Sequence, residues 1–324
     1  MAVSRRGADI ADLVERARSA DPRAVARLIS LVENDSPVLR KIAAALAPYG
    51  GHAQVVGLTG SPGVGKSTST SALVSALREA GNRVGVLAVD PSSPFSGGAL
   101  LGDRIRMQDH ATDDGVFIRS MASRGQLGGL SAAVPQALRV LDAAGCDVVL
   151  VETVGVGQAE VEIASLADTT IVLLAPGMGD GVQAAKAGIL EIADVFVVNK
   201  ADRDGADQVA RDLRYMQSLG GRHSQAGAWR PPIVKTVASR AEGVAELIGA
   251  IAKHRDWLHR HGELEGRRAA RAAAEIEAIA LGQIRRSFAQ VHGSAALDSA
   301  AMRVVAGETD PYSAADILVA ALKK

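Results

Sequence analysis

Scarcities come first in this sequence. A single cysteine, Cys146, stands in 324 residues, so neither a disulfide framework nor a thiolate-rich metal site is available. It sits just before an apolar run, which predicts a buried, unreactive thiol. Aromatics reach only 3 % while hydrophobic residues reach 48 %, so the core must be built from Ala, Val, Leu and Ile. Net charge is also absent: 36 Lys+Arg balance 36 Asp+Glu, which leaves no electrostatic footprint for nucleic acid or an anionic membrane. No apolar run approaches the ~18 residues that span a bilayer. The N-terminal MAVSRRGADIADLVERA mixes Asp9, Asp12 and Glu15 with basic residues and has no apolar h-region. That argues against a secretory signal or an acid-poor transit peptide, and a soluble cytoplasmic chain is expected.

What is present falls into three stretches. Residues 8–48 read as helices, with Asp21-Pro22 and Ser36-Pro37 each placing an N-cap before a proline suited to the first helical position. Short β-branched runs then appear at 54–59, 84–89, 147–152, 169–174, 194–198 and 232–236, separated by helical stretches. Continuous apolar runs suit strands buried on both faces, and strand–helix alternation implies a doubly wound, mainly parallel α/β sheet. After about residue 242 the strands stop, and helices are expected over 243–261, 266–291, 294–306 and 311–322. The expected division is an N-terminal helical segment (1–50), an α/β domain (51–250) and a C-terminal helical arm (251–324). Within that arm, residues 263–279 are charged and periodic but too poor in large apolar residues to form a core alone. They need a partner surface, either their own domain or a second subunit. His254, His259 and His261 do not all share one helical face, so a solvated surface is expected rather than a metal site.

The first expected strand runs straight into Gly60-Ser61-Pro62-Gly63-Val64-Gly65-Lys66-Ser67, followed by Thr68 and a helical pattern. This is G-x-x-x-x-G-K-[ST] in its proper strand–helix setting. Glycines let backbone N–H groups curl around a β-phosphate, and the helix N-terminus adds partial positive charge. Lys66 is expected to reach the β- and γ-phosphates and Ser67 to hold Mg²⁺. A later strand ends in Glu152, where a carboxylate suits the same ion, and Glu152-Thr153-Val154-Gly155 has D-x-x-G spacing with Glu in place of Asp. Gly155 N–H would then sense the γ-phosphate. Val156 follows where Ras-like proteins carry the water-orienting glutamine, and Gln158 lies two positions later. Slow intrinsic hydrolysis, accelerated by a partner, is expected.

The run 194–198 ends in Asn199-Lys200-Ala201-Asp202, the N-K-x-D spacing. An Asp carboxylate accepts from both N1–H and the N2 amine of guanine, donors that adenine lacks in that arrangement. Unsatisfied polar groups then penalise the wrong base. Lys200 is expected to cover the base with its stem and Asn199 to brace the loop. Thr236-Val237-Ala238 occupies the position where a backbone N–H meets guanine O6. GTP and GDP are therefore the expected ligands.

With GLTGSPGVGKST, AVDPSSPFSGGALLGDRIRM, RSMASRGQLGGLS, VETVGVGQAE and APGMGDGVQAAKAGILEIADVFVVNKAD in place, the chain resembles the MeaB/ArgK family of P-loop GTPases. The resemblance covers nearly the whole chain. It implies that Asp90 and Asp103 join Glu152 and Ser67 near Mg²⁺. It also implies that the segment 176–188 is a third switch in which Gln183 and Lys186 couple to a client enzyme. Further implications are a homodimer joined through the C-terminal arm, and a role in gating adenosylcobalamin delivery to an acyl-CoA mutase, with methylmalonyl-CoA mutase foremost and a cobalamin adenosyltransferase as a further partner. No D-x-H-x-x-G cobalamin motif is present. The alternative reading is a kinase of the lysine/arginine/ornithine transport system, for which neither a positioned base nor a protein-hydroxyl site is visible. Insertion of nickel or cobalt, the task of related GTPases, fits poorly with one cysteine and scattered histidines.

Overall fold

Strands come first because they place everything else. The computed structural model describes residues 10–34, 36–90, 108–110, 112–122, 133–153, 159–177, 190–218, 227–289 and 295–321. Among them, β1 (Gln54–Thr59), β2 (Val84–Asp90), β3 (Val116–Ala122), β4 (Val148–Thr153), β5 (Thr169–Leu174), β6 (Val195–Val198) and β7 (Ile233–Lys235) form one sheet. Its order is β3-β2-β4-β1-β5-β6-β7, and every pairing is parallel. The doubly wound parallel sheet expected from the alternation is thus present. It has one strand more than the apolar runs announced. β3 is that strand, and Arg119 in its centre explains why VFIRSMA does not read as a buried run. The strand lies at the sheet edge, where Arg119 reaches Glu33 and, at 3.1 Å, Ser30 Oγ on a covering helix.

The two faces are covered by different helices. Leu87, Val89, Val149 and Val151 pack under α1 (Ile10–Arg18), α2 (Pro22–Glu33), α3 (Leu39–Leu46) and α5 (Ala133–Ala143). Neighbouring positions Val84, Val86, Val148 and Leu150 point the other way, toward α4 (Lys66–Glu79) and α8 (Val244–His261). That period-2 alternation turns each apolar run into two interfaces. Two further helices of this body are α6 (Ala159–Leu166) and α7 (Ala206–Ser218), with α7 packed on Phe196 and Val198 of β6. α2 begins as expected: Asp21 Oδ1 accepts from Arg23 N (2.9 Å) and Ala24 N (3.4 Å) ahead of Pro22. α3 does not begin at Ser36-Pro37. Its N-cap is Val38, with no capping side chain, because Leu39 N donates to Ser36 O (2.9 Å) in a preceding turn. Cys146 is buried, and burial pushes its thiol up to about 12, as the sequence anticipated.

The chain divides into two compact units, residues 1–269 and 270–324. The helix α9 (Glu263–Ala289) starts in the first, and its first turns lie at the amino ends of β5 and β6. Arg267 grips Asp194 through Nη1–Oδ2 and Nη2–Oδ1, both 2.9 Å, while Arg268 Nη2 lies 3.0 Å from Asp168 Oδ2. Both carboxylates also serve strand backbones: Asp168 accepts from Val55 N (3.0 Å) and Asp194 from Thr170 N (2.8 Å). His254 lies in the same network and corrects an expectation, since it is fully buried rather than on a solvated surface. Its Nδ1 is 2.9 Å from Thr169 Oγ1, its Nε2 is 3.3 Å from Asp194 Oδ1, and Trp229 packs on its ring at 4.8 Å. Three histidines off one face need not share one environment. In the second unit, α10 (Ala295–Val305) and α11 (Pro311–Ala321) pack on one another, and Met302, Val305, Tyr312 and Ile317 are exposed.

Candidate functional site

The candidate site lies at the carboxyl ends of β1, β4 and β6, where open parallel sheets place their ligand sites. After Thr59 the chain turns through Gly60–Gly65 into α4. Gly60 has φ +143° and Gly65 φ +96°, and a Cβ on Gly65 would lie 2.4 Å from Asn199 Nδ2. Only glycine permits both the backbone turn and that approach. Lys66 and Ser67 open α4 and are buried, whereas Pro62, Gly63 and Thr68 are exposed. The Lys66 ammonium folds back into the curl of the loop, 2.6 Å from Gly60 O and 3.1 Å from Ser61 O.

β4 lies between β1 and β2, with Glu152 in register with Leu58 and Ala88. The central position brings its carboxylate, 2 % exposed, beneath the start of α4. Ser67 Oγ donates to Glu152 Oε1 at 2.6 Å, and Thr70 Oγ1 lies 2.8 Å from Glu152 Oε2. An anionic carboxylate beside a hydroxyl is a hard oxygen donor pair, suited to a small divalent cation that keeps several waters and takes its other ligands from phosphate. Among the described residues no cluster of three or more His, Cys, Asp or Glu side chains could hold a metal by itself. Asp90 is the last residue of β2, adjacent to β4 in the sheet. Asp103, Gly155, Val156, Gln158, Gln183 and Lys186 lie outside the described residues.

The loop after β6 is cross-braced. Asn199 Nδ2 donates to Val64 O (2.9 Å), and its Oδ1 accepts from Thr236 Oγ1 and Ala238 N, both 3.1 Å. One amide therefore ties the Gly60–Ser67 loop, the 199–202 loop and the 236–238 loop together. Lys200 adopts φ +56°, uncommon for a non-glycine residue, and its Nζ donates to Gly63 O (2.7 Å). Asp202 is 39 % exposed, so its carboxylate is open to a ligand edge. Two side chains were not singled out from the sequence. Arg240 lies 3.7 Å from Asp202 and 2.8 Å from Glu242. Thr70 was hidden in the hydroxyl-rich STST that opens α4, where only the fold reveals which hydroxyl faces β4.

The sequence model of the family described as methylmalonyl Co-A mutase-associated GTPase MeaB matches residues 25–292. The chain belongs to this family. A protein of Pyrococcus abyssi named as a GTPase is 50 % identical over 310 residues, 96 % of each chain. The mouse methylmalonic aciduria type A homolog, mitochondrial, is 35 % identical over 271 residues, which cover 83 % of this chain and 65 % of that protein. Among solved structures, one described as an LAO/AO transport system kinase superposes with a TM-score of 0.72 at 26 % identity, covering 100 % of both chains. Like its relatives, this family member is a GTPase with the P-loop fold, and guanine nucleotide is its ligand. No helix among the described residues is long and apolar enough to cross a membrane.

Proposed function

We propose that this GTPase is a Mg²⁺-dependent chaperone that gates adenosylcobalamin loading, protection and reactivation of an acyl-CoA mutase, with methylmalonyl-CoA mutase as first candidate. The family match over residues 25–292 supports this reading most directly. The printed name of the mouse relative points the same way. Gly60, Ser61, Pro62, Gly63, Val64, Gly65 and Thr68 form the phosphate loop, within whose curl the Lys66 ammonium meets the β- and γ-phosphate oxygens. Ser67 and Glu152 hold the divalent ion, with Asp90 and Asp103 completing the site, and Gly155 N–H reports the γ-phosphate. Mg²⁺ there supplies charge neutralisation between the β- and γ-phosphates. Asp202 accepts from guanine N1–H and N2. Lys200 covers the base, Asn199 holds the loops in register, and Thr236-Val237-Ala238 presents a backbone N–H to O6.

Gln183 and Lys186 couple nucleotide state to the mutase. The 251–324 arm joins two copies into a homodimer, and the exposed Met302, Val305, Tyr312 and Ile317 supply apolar surface for that contact. A cobalamin adenosyltransferase completes the set of partners, in the cytoplasm. The second reading, a kinase of the lysine/arginine/ornithine transport system, is favoured by the description of the superposed structure alone.

Purified protein loaded with GDP or a non-hydrolysable GTP analogue is offered to methylmalonyl-CoA mutase, and complex formation and phosphate release are followed. Nucleotide-dependent binding with faster hydrolysis is the expected result. No mutase binding with either nucleotide, together with transfer of labelled γ-phosphate to a binding protein, would favour the kinase.

A further inference from the structure

Glu152 is contacted from one side by two hydroxyls of the same helix. Ser67 and Thr70 are three residues apart on α4 and so face one way. Each addresses a different carboxylate oxygen, Ser67 Oγ at 2.6 Å from Oε1 and Thr70 Oγ1 at 2.8 Å from Oε2. Thr70 is fully buried, far from any ordinary surface role. It has a second acceptor, Lys66 O at 3.1 Å, the usual back-bond of a helical threonine. One hydroxyl has one proton, so the two acceptors compete. The carboxylate is nearer and charged, and charge-assisted hydrogen bonds are roughly twice as strong as neutral ones. The proton therefore goes to Glu152.

We propose that Thr70 is a positioning residue for the divalent ion, donating to Glu152 Oε2 and thereby turning Oε1 toward Ser67 and the metal. The proposal rests on the Mg²⁺ reading of Ser67 and Glu152. A hydroxyl has two lone pairs besides its proton, so Ser67 can offer one to the ion while still donating to Oε1, and the Thr70 donation to Oε2 then helps to fix the plane of the carboxylate. Groups of this kind, one bond removed from the metal, typically carry a 10- to 100-fold effect on affinity. Thr70→Val removes the hydroxyl and keeps the branched shape, whereas Thr70→Ser keeps the hydroxyl.

The test uses the full chain and a fluorescent N-methylanthraniloyl-GDP, whose release is timed across a Mg²⁺ titration and in EDTA. Wild type is expected to release the nucleotide more slowly as Mg²⁺ rises. Thr70→Val is expected to need about 10-fold more Mg²⁺ for the same retardation, with EDTA release close to wild type, and Thr70→Ser is expected to restore the wild-type midpoint. If Thr70→Val does not fold, Thr70→Ala carries the same expectation. A midpoint unchanged in the folded variant overturns the proposal while leaving the Mg²⁺ reading intact. Faster release in EDTA by the same factor as in Mg²⁺ also overturns it, since the hydroxyl would then support the loop and not the ion. Wild-type release indifferent to Mg²⁺ would remove the Mg²⁺ reading itself, and the proposal with it.

Discussion

Lowering the pH from 7 to 4 should weaken the fold through one imidazole. His254 is fully buried between Thr169, Asp194 and Trp229, and its pKa is depressed from the ordinary 6.5 to about 4. Burial is the dominant cause, since an imidazolium there would lose its hydration. Three charged groups face the ring: Asp194 and Asp168 pull the pKa up, and Arg267 pushes it down. Because the unfolded chain binds the proton more readily, stability rises with pH across the window between the two values. The contribution is complete above about pH 6.5 and lost as the pH falls toward 4. A difference of that span, at ~1.4 kcal/mol per unit, amounts to about 3 kcal/mol, a large fraction of a typical 5–15 kcal/mol. Urea unfolding of wild type and His254→Asn, measured at half-unit steps from pH 7 to 4.5, isolates the effect from that of the carboxylates. The variant should start less stable, through lost packing on Trp229, yet show a visibly flatter fall with acid. Parallel curves for the two proteins would refute the reasoning.

Three further outcomes follow from the site and its base. Gly65→Ala forces a side chain into a left-handed turn and against Asn199 Nδ2, so GDP affinity by calorimetry should drop at least about 10-fold, combining ~1–2 kcal/mol of strain with a disturbed brace. Asp202→Asn replaces one acceptor oxygen with an N–H donor. GDP binding should weaken by roughly 100-fold, from one lost charge-assisted bond at ~1.5–3 kcal/mol and a second weakened by loss of the charge, and xanthosine diphosphate should gain; an unchanged preference would remove Asp202 from the base site. Arg267→Ala leaves Asp194 buried without its guanidinium. Breaking such pairs costs ~3–5 kcal/mol when fully buried, and the partly exposed arginine reduces this to about 2–3, visible as a fall in Tm of several degrees.

The sequence announced most of the sheet because its central strands are apolar on both faces and bounded by turns. It missed β3 because an edge strand can carry Arg119 through its middle when a covering helix supplies Glu33. The phosphate and guanine loops were legible because their chemistry dictates residue type at fixed spacing. The lower network was not. Asp168 and Arg268 are 100 residues apart, and nothing in either neighbourhood names the other. His254 belongs to that same hidden network, and so helical phase alone misplaced it on the surface. Thr70 illustrates a subtler limit, since the five adjacent hydroxyl residues 67–71 look alike until the register of β4 beneath them is known.

The two arginines at the root of α9 also determine where this chain can be shortened. A protein ending at residue 250 would keep every nucleotide loop yet lose Arg267, Arg268 and most of α8, leaving Asp168 and Asp194 facing water and each other's strands without cations. One ending at residue 269 retains both grips and coincides with the limit of the first compact unit. The Asn199–Asp202 loop after β6, which we propose reads guanine, hangs from a strand whose other end is held by Asp194. Cutting between these points should therefore separate a chain that merely contains the nucleotide motifs from one that holds them in place.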